Sequence, residues 1–369
     1  MYDEARGSRG VIHKRASARC SSTDRQARVH KAGAELQSIQ VTTGLGHWSS
    51  NRGGIFSRAE ALDNGESDRT LAAARRAGLI IRLRRGMYVS AEIYIALDDA
   101  GKHLLHARAV LAMQEGPVAL AGPSAAALHG FALYGQDLTT VHILRLDRGS
   151  SRRRGLANHH IVVQDIDEDL GTYGGIMAIS PARAVWEVAC RSSFDSGVVT
   201  ADSALHKQPE LIEPVQELQQ RFAYFPGSRQ GRTTVKFADG RAESPGESIT
   251  RVQCHRFGIP KPALQHQVVD SAGRLVGVSD FCWEDHRHLG EFDGKIKYER
   301  LLRPGESPAD TVFREKRRED GMRAGLYGMS RFTWTDLMPG NARQSMTELA
   351  HALEQSRRLY ARPKQVIAG

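Results

Sequence analysis

The sequence predicts a multidomain α/β protein, and three observations carry that prediction. The chain has 369 residues, more than one hydrophobic core usually supports, which is roughly 250–300 residues. Its hydrophobic fraction is 40%, with ample Leu, Ile and Val, so a sizeable core is available and wholesale disorder is excluded. Segments of helical period interleave with short strand-like runs punctuated by Gly and Pro. The expected organisation is a flexible basic arm over 1–48, a winged helix-turn-helix over 49–100 and an α/β middle domain over 101–210. A linker over 211–241 and a C-terminal α/β domain over 242–369 complete it.

Residues 1–48 are rich in Arg, Ser, Gly and Ala with little apolar periodicity. They read as an arm that touches a phosphate backbone, or equally as an over-extended translation start.

From Gly53 the pattern tightens. Ser57 is placed to cap a helix S-R-A-E-A-L, with Glu60 three residues on as a capping box. Asp63-Asn64-Gly65 signals a turn. Ser67 caps D-R-T-L-A-A-A-R-R-A, and Gly78 stops it at a C′ position. Two strands follow, L-I-I-R-L and G-M-Y-V-S, hinged at Arg84-Arg85-Gly86. Helix, turn, helix and basic hairpin is the plan of a winged helix, whose second helix enters the major groove while the hairpin lies on the backbone. Arg69, Arg75 and Arg76 fall on that helix and Arg82, Arg84 and Arg85 on the wing; with Arg58 they are the candidate DNA contacts. The competing reading is a winged helix used for protein contacts.

The middle segment opens with H-L-L-H-A-R-A-V-L-A-M, then V-A-L-A, then Pro123-Ser124 before A-A-A-L-H, ended by Gly130. Ser124 and His129 could suggest a nucleophile and base; a helix cap and a packed histidine are the favoured readings. Strands T-T-V-H-I-L-R-L and H-H-I-V-V-Q flank a basic loop holding Arg152, Arg153 and Arg154, a phosphate-facing surface or a solvated loop. Ser180-Pro181 is an N-cap with Pro at the first helical position, and V-V-T-A-D-S-A-L-H-K is a further helix. Residues 211–237 look helical and then loop-like, with F-P-G-S-R-Q-G-R as the linker candidate.

In the last domain a helix runs from Ser244 to Phe257 with Glu247 in its first turn, followed by strands over Ala263–Val269, Val276–Trp283 and Leu289–Tyr298. A basic helix, D-T-V-F-R-E-K-R-R-E-D-G-M-R-A, then M-S-R-F-T-W and a helix near Ser345–Leu359 close the chain. Period-two alternation puts Glu291, Asp293, Lys295 and Lys297 on one strand face, and a hairpin brings Asp280 beside them. Clustered carboxylates with adjacent lysines suit a divalent metal and a phosphodiester; the alternative is a solvated face of mixed charge.

Net charge is +9, which favours polyanionic partners such as double-stranded DNA. Cys20, Cys190, Cys254 and Cys282 are far apart, which excludes a disulfide framework or a zinc site and fits a reducing cytoplasm. No apolar run reaches ~18 residues, so a soluble, cytoplasmic protein without a membrane segment is expected. A homodimer on a palindromic site would suit a helix-turn-helix protein, although no heptad repeat declares its interface.

Two family resemblances sharpen this reading. G-G-I-F-S-R-A-E-A-L, L-R-R-G-M-Y-V, G-P-S-A-A-A-L-H-G-F, I-S-P-A-R-A-V-W-E-V-A and A-D-S-A-L, spread over about 53–207, resemble the AbiEi family of type IV antitoxins. That implies a promoter-binding winged-helix autorepressor and a second domain opposing a nucleotidyltransferase-like toxin without a tight complex. The C-terminal domain resembles the PD-(D/E)XK endonuclease fold, in its very-short-patch-repair-like branch, through Glu247, Asp280 and Glu291-Phe292-Asp293-Gly294. The resemblance implies Mg2+ or Mn2+ held by Asp280 and Glu291, with Asp293 as a further candidate ligand, and a lysine stabilising the phosphorane. Asp293 stands where the strict motif has lysine, so either Lys295 or Lys297 takes that role; the register stays open. Two functions follow: a DNA-binding antitoxin and autorepressor with a nuclease-like scaffold, or an active metal-dependent endonuclease.

Overall fold

The computed structural model describes residues 54–147, 152–154, 157–161, 166–270, 272–294 and 326–360, the two short runs 152–154 and 157–161 by their backbone. The expected arm at 1–48, the side chains of Arg152, Arg153 and Arg154, the helix at 310–324, and both Lys295 and Lys297 lie outside the described residues. The chain divides into two compact units, Met1–Ala96 and Leu97–Gly369.

The first unit is built on two capped helices and a three-stranded sheet. β1 (Ile55–Ser57) leads into α1 (Arg58–Asp63), where Ser57 Oγ accepts from Glu60 N at 3.1 Å and Glu60 Oε2 accepts from Ser57 N at 2.7 Å. α2 (Asp68–Arg76) starts at Ser67, whose box is closed by Thr70. Gly78 follows at φ +72°, the left-handed conformation that a helix stop requires. β2 (Ile80–Arg84) and β3 (Met87–Ser90) form a hairpin, and the sheet order is β1-β3-β2, all antiparallel. α3 (Ala91–Ala96) ends the unit. Phe56, Ala61, Leu71, Ala74, Ile80 and Tyr88 make its core, with the Phe56 and Tyr88 rings stacked at 5.7 Å. One apolar face per helix is enough to hold so small a unit together, which leaves the opposite face of α2 to solvent.

The second unit joins two sheets. α4 (Asp99–Leu111) and α5 (Gly122–Leu128) pack beside a mixed sheet of β4 (Val118–Leu120), β5 (Val141–Arg145), β6 (Arg152–Arg154), β7 (Ala157–Ile161), β8 (Leu170–Tyr173) and β9 (Ile176–Ile179), in the order β6-β7-β5-β4-β9-β8. The β4–β9 and β5–β7 pairs are parallel. α6 (Pro181–Arg191) and α7 (Phe194–Lys207) follow, α6 capped by Ser180 as its Ser-Pro start dictates.

The stretch read as a linker is not one. α8 (Ile212–Arg221) and α9 (Ser228–Phe237) occupy it, burying Val215, Leu218 and Val235 in the same core as α6. The glycines that suggested a loop are packing devices. Gly227 has φ +83° and a side chain there would fall 2.0 Å from the Cys190 carbonyl oxygen, while Gly231 lets α9 close on Trp186 and Cys190.

α10 (Pro245–Arg256) opens the C-terminal part where a helix was expected, and Ser244 caps it. The second sheet follows: β10 (Ala263–Val269), β11 (Leu275–Trp283), β12 (His288–Phe292) and β13 (Gly328–Phe332) in sequential order, antiparallel except for the parallel β12–β13 pair. α11 (Trp334–Leu337) and α12 (Ala342–Tyr360) complete it. Phe281, Trp283, Phe292 and Phe332 bury against Ile249 and Cys254 of α10 and Met346, Leu349 and Leu353 of α12. Val199 of α7 belongs to that core, and Arg251 Nη1 reaches the buried Asp202 of α7 at 2.5 Å, so the two sheets share one body. Burial pushes the Asp202 carboxyl up to about 6, and the Arg251 contact keeps it charged at neutral pH. Among the described residues no helix is long and apolar enough to cross a membrane.

Candidate functional site

Two constellations hold the residues that the sequence singled out. In the first unit, Arg69, Arg75 and Arg76 are exposed on α2, and Arg82 and Arg85 are exposed on the β2–β3 hairpin. Arg58 is committed elsewhere: its Nε and Nη2 grip Asp68 at 2.7 and 2.5 Å, raising the arginine pKa and lowering that of Asp68. Arg84 differs from its neighbours. It is half-buried, burial lowers its pKa, and among the described residues its Nη1 is buried with no hydrogen-bond acceptor. A buried guanidinium nitrogen without an acceptor is costly unless a ligand supplies one.

In the second unit, the β10–β13 sheet lines up one row of side chains. Leu264↔Phe281 and His266↔Ser279 bracket Gln265 opposite Asp280. One step beyond Phe281↔Gly290 sets Asp280 opposite Glu291, and Glu291 pairs with Arg331. Glu291 is buried, and Arg331 Nη2 lies 3.5 Å from its Oε2. Asp280 Oδ2 accepts the Phe292 amide at 2.8 Å. Asp280 and Glu291 are thus brought together as expected. β12 ends at Phe292, so Asp293 follows the strand instead of lying on its face; its amide donates to the Phe332 carbonyl at 2.7 Å.

Glu247 is buried at the start of α10, where it accepts from Glu243 N at 2.9 Å, Ser244 Oγ at 2.7 Å and Gln265 Nε2 at 3.0 Å. Its carboxylate therefore closes the helix start and ties it to β10. Gln265 reaches it from a left-handed backbone, φ +51°, rare for a non-glycine residue inside a strand. Sequence reasoning missed Gln265 and Arg331. Nothing local marks a left-handed glutamine, and the parallel partner of β12 arrives only after 35 intervening residues. Among the described residues no group of three His, Cys, Asp or Glu side chains is arranged to hold a metal ion.

The Ser124 reading also changes. Ser124 is not the helix cap; the cap position of α5 is Ala121, which makes no side-chain cap bond. Ser124 Oγ accepts from His142 N at 2.8 Å and lies 2.9 Å from Nε2 of His103, both side chains fully enclosed. Nδ1 of His103 is 2.8 Å from the Leu138 carbonyl, which can only accept, so Nε2 accepts the serine proton. Burial lowers the His103 pKa and keeps the ring neutral. With no access to substrate, this pair is a structural bond between α4 and α5. His129 is a packed histidine, its Nε2 2.8 Å from the Ile179 carbonyl.

Comparison with known proteins adds the following. Residues 47–91 match the family model described as "Transcriptional regulator, AbiEi antitoxin". The uncharacterized proteins Rv2248 and MT2308 of Mycobacterium tuberculosis (strains ATCC 25618 / H37Rv and CDC 1551 / Oshkosh) are each 31% identical over 210 residues, covering 52% of this chain and 74% of theirs. A crystal structure of the RV2827C protein from Mycobacterium tuberculosis is 17% identical and covers 53% of this chain and 80% of its own, with a TM-score of 0.33, too low for the fold to be read from it. The chain belongs to the family of these mycobacterial relatives Rv2248 and MT2308, and its residues 47–91 match the AbiEi antitoxin family of transcriptional regulators.

Proposed function

We propose that the chain is a DNA-binding antitoxin and transcriptional autorepressor of AbiEi type, with residues 54–96 acting as a winged helix. The observation that carries this is the arginine-bearing surface within the matched segment: exposed arginines on α2 and the hairpin, and the Arg84 Nη1 whose missing acceptor a phosphate oxygen would supply. The mixed sheet beyond it is proposed to counter a nucleotidyltransferase-like toxin by opposing its effect, without a tight complex. The net charge of +9 supports DNA as the partner.

The test is fluorescence anisotropy of the full chain on duplex DNA from upstream of its own gene. Affinity should fall steeply as salt rises, because phosphate contacts release counterions. Arg84→Gln and Arg85→Gln should weaken binding to every duplex alike, by roughly 1 kcal/mol each for a charged hydrogen bond. Wild-type affinity in both variants would remove the wing from the interface.

A second reading, a metal-dependent endonuclease of PD-(D/E)XK type, is favoured by the Asp280–Glu291 cross-strand pair. A divalent ion, Mg2+ or Mn2+, would supply an activated water when bound. Asp280 and Glu291 would be its ligands, with Asp293, Lys295 and Lys297 as the remaining candidates for the chemistry. The described residues fit that role only in part, since Glu291 is ion-paired to Arg331 and Glu247 is engaged in its helix start. Supercoiled plasmid with Mg2+ or Mn2+ decides it: nicking by wild type but not by Asp280→Ala supports the reading, and no nicking with either ion rejects it.

A further inference from the structure

The faces of α2 are unequal. At 100° per residue, the buried Leu71 and Ala74 define one direction, and the direction diametrically opposite is held by Arg69 and Arg76. Ala72 and Ala73 flank them on the same outward face, and all four are exposed. Arg75 stands off this line, toward the flank that carries Asp68. Among the described residues neither Arg69 nor Arg76 forms an ion pair, whereas Arg58 is held by Asp68. The outward face thus offers two uncommitted guanidinium groups separated by side chains no longer than a methyl.

Seven residues along a helix is roughly 10 Å, which is about three base-pair steps of DNA. A guanidinium pairs in a fork with O6 and N7 of guanine, and an alanine methyl packs on the C5 methyl of thymine. Short side chains between the arginines let the helix axis approach the groove floor.

Resting on the DNA-binding reading above, we infer that α2 reads a major-groove site in which two G·C pairs, about three steps apart, bracket thymine. Arg69 and Arg76 take the guanines and the Ala72 and Ala73 methyls take the thymine methyl. Arg75 contacts the phosphate flank and carries no sequence information.

The full chain is used to select duplexes from a randomised library, and the recovered sites are tested by anisotropy. The expected motif has the two G·C pairs with T between them. Replacing that T by deoxyuridine removes one methyl and should weaken wild-type binding severalfold, a comparison needing no variant protein. Arg69→Ala and Arg76→Ala should each erase the preference for one of the two G·C pairs, by roughly tenfold, while Arg75→Ala weakens all duplexes alike. Sequence-selective binding that ignores both the thymine methyl and the G·C pairs, or a preference altered by Arg75→Ala alone, overturns the inference and leaves the DNA-binding reading intact. Failure of wild type to bind any duplex overturns that reading and this inference with it.

Discussion

Arg183→Met should destabilise the second unit by about 3–5 kcal/mol, because it leaves the buried Glu187 without its counter-charge and takes one of two from Asp169. Arg183 is 2% exposed, with Nη1 2.6 Å from Asp169 and Nε 3.1 Å from Glu187. Its guanidinium lies 4.6 Å from the centre of the Phe222 ring. Asp169 keeps a second partner in Arg221, but among the described residues Glu187 keeps only the Gly122 amide, at 3.1 Å. Methionine fills much of the arginine volume, so the loss is mainly electrostatic. A natural domain is stable by roughly 5–15 kcal/mol, so the variant should sit close to its unfolding threshold. Urea unfolding followed by tryptophan fluorescence measures the effect. Adding Glu187→Gln should recover part of the loss, since the two residues share one interaction and their effects cannot add. A variant within about 1 kcal/mol of wild type would mean that Arg183 is not the counter-charge that its geometry indicates.

The network also shows where the sequence was legible. Caps are local: Ser57 with Glu60, Ser67, Ser180-Pro181 and Ser244 each announce a helix start within four residues, and each is found there. The strand pair holding Asp280 and Glu291 was legible because a short hairpin connection leaves few registers. What failed depends on distant partners. Gly227 and Gly231 look like loop residues until Cys190 and Trp186 are packed against them. Ser124 opens an alanine-rich helical run, as a cap would, yet its partner is His103, 21 residues earlier. Arg183 is one arginine among many in the sequence, and only the fold turns it inward between two acids.

That difference between local and distant determinants has a consequence for the α2 surface. Leu71 and Ala74 are fixed by the first unit's own small core, so the outward direction of Arg69 and Arg76 follows from nine residues of helix and two buried contacts. The full row from Gln265 through Asp280 and Glu291 to Arg331 needs four strands, one of them reached from far along the chain. The proposed DNA-reading face therefore rests on local geometry, and the row proposed for the alternative, hydrolytic reading rests in part on long-range assembly. Substitutions in the second core should disturb the Asp280–Glu291 row while leaving duplex binding by α2 unchanged.

His288 should make the C-terminal core acid-sensitive. It is 2% exposed on β12, with Nδ1 2.8 Å from Ser356 Oγ and Nε2 2.8 Å from Ser330 Oγ. Burial, helped by the nearby His286, lowers its pKa from 6.5 to about 4, so the fold holds the ring neutral. The sign follows from proton counts: between pH 6.5 and 4 the unfolded chain binds a proton that the folded chain refuses. The stabilisation is therefore complete above pH 6.5 and is lost as pH falls toward 4, amounting to about 3 kcal/mol across the full span. Asp202, with its pKa raised to about 6, pulls in the opposite direction, so wild-type stability alone would mislead. The informative quantity is the difference between wild type and His288→Gln, which keeps a donor and an acceptor but does not titrate. From pH 7.5 to 4.5 that difference should shift by roughly 2–3 kcal/mol against wild type, measured by urea unfolding at each pH. Parallel pH profiles for the two proteins would mean that His288 binds its proton alike in the folded and unfolded chain, against what its burial indicates.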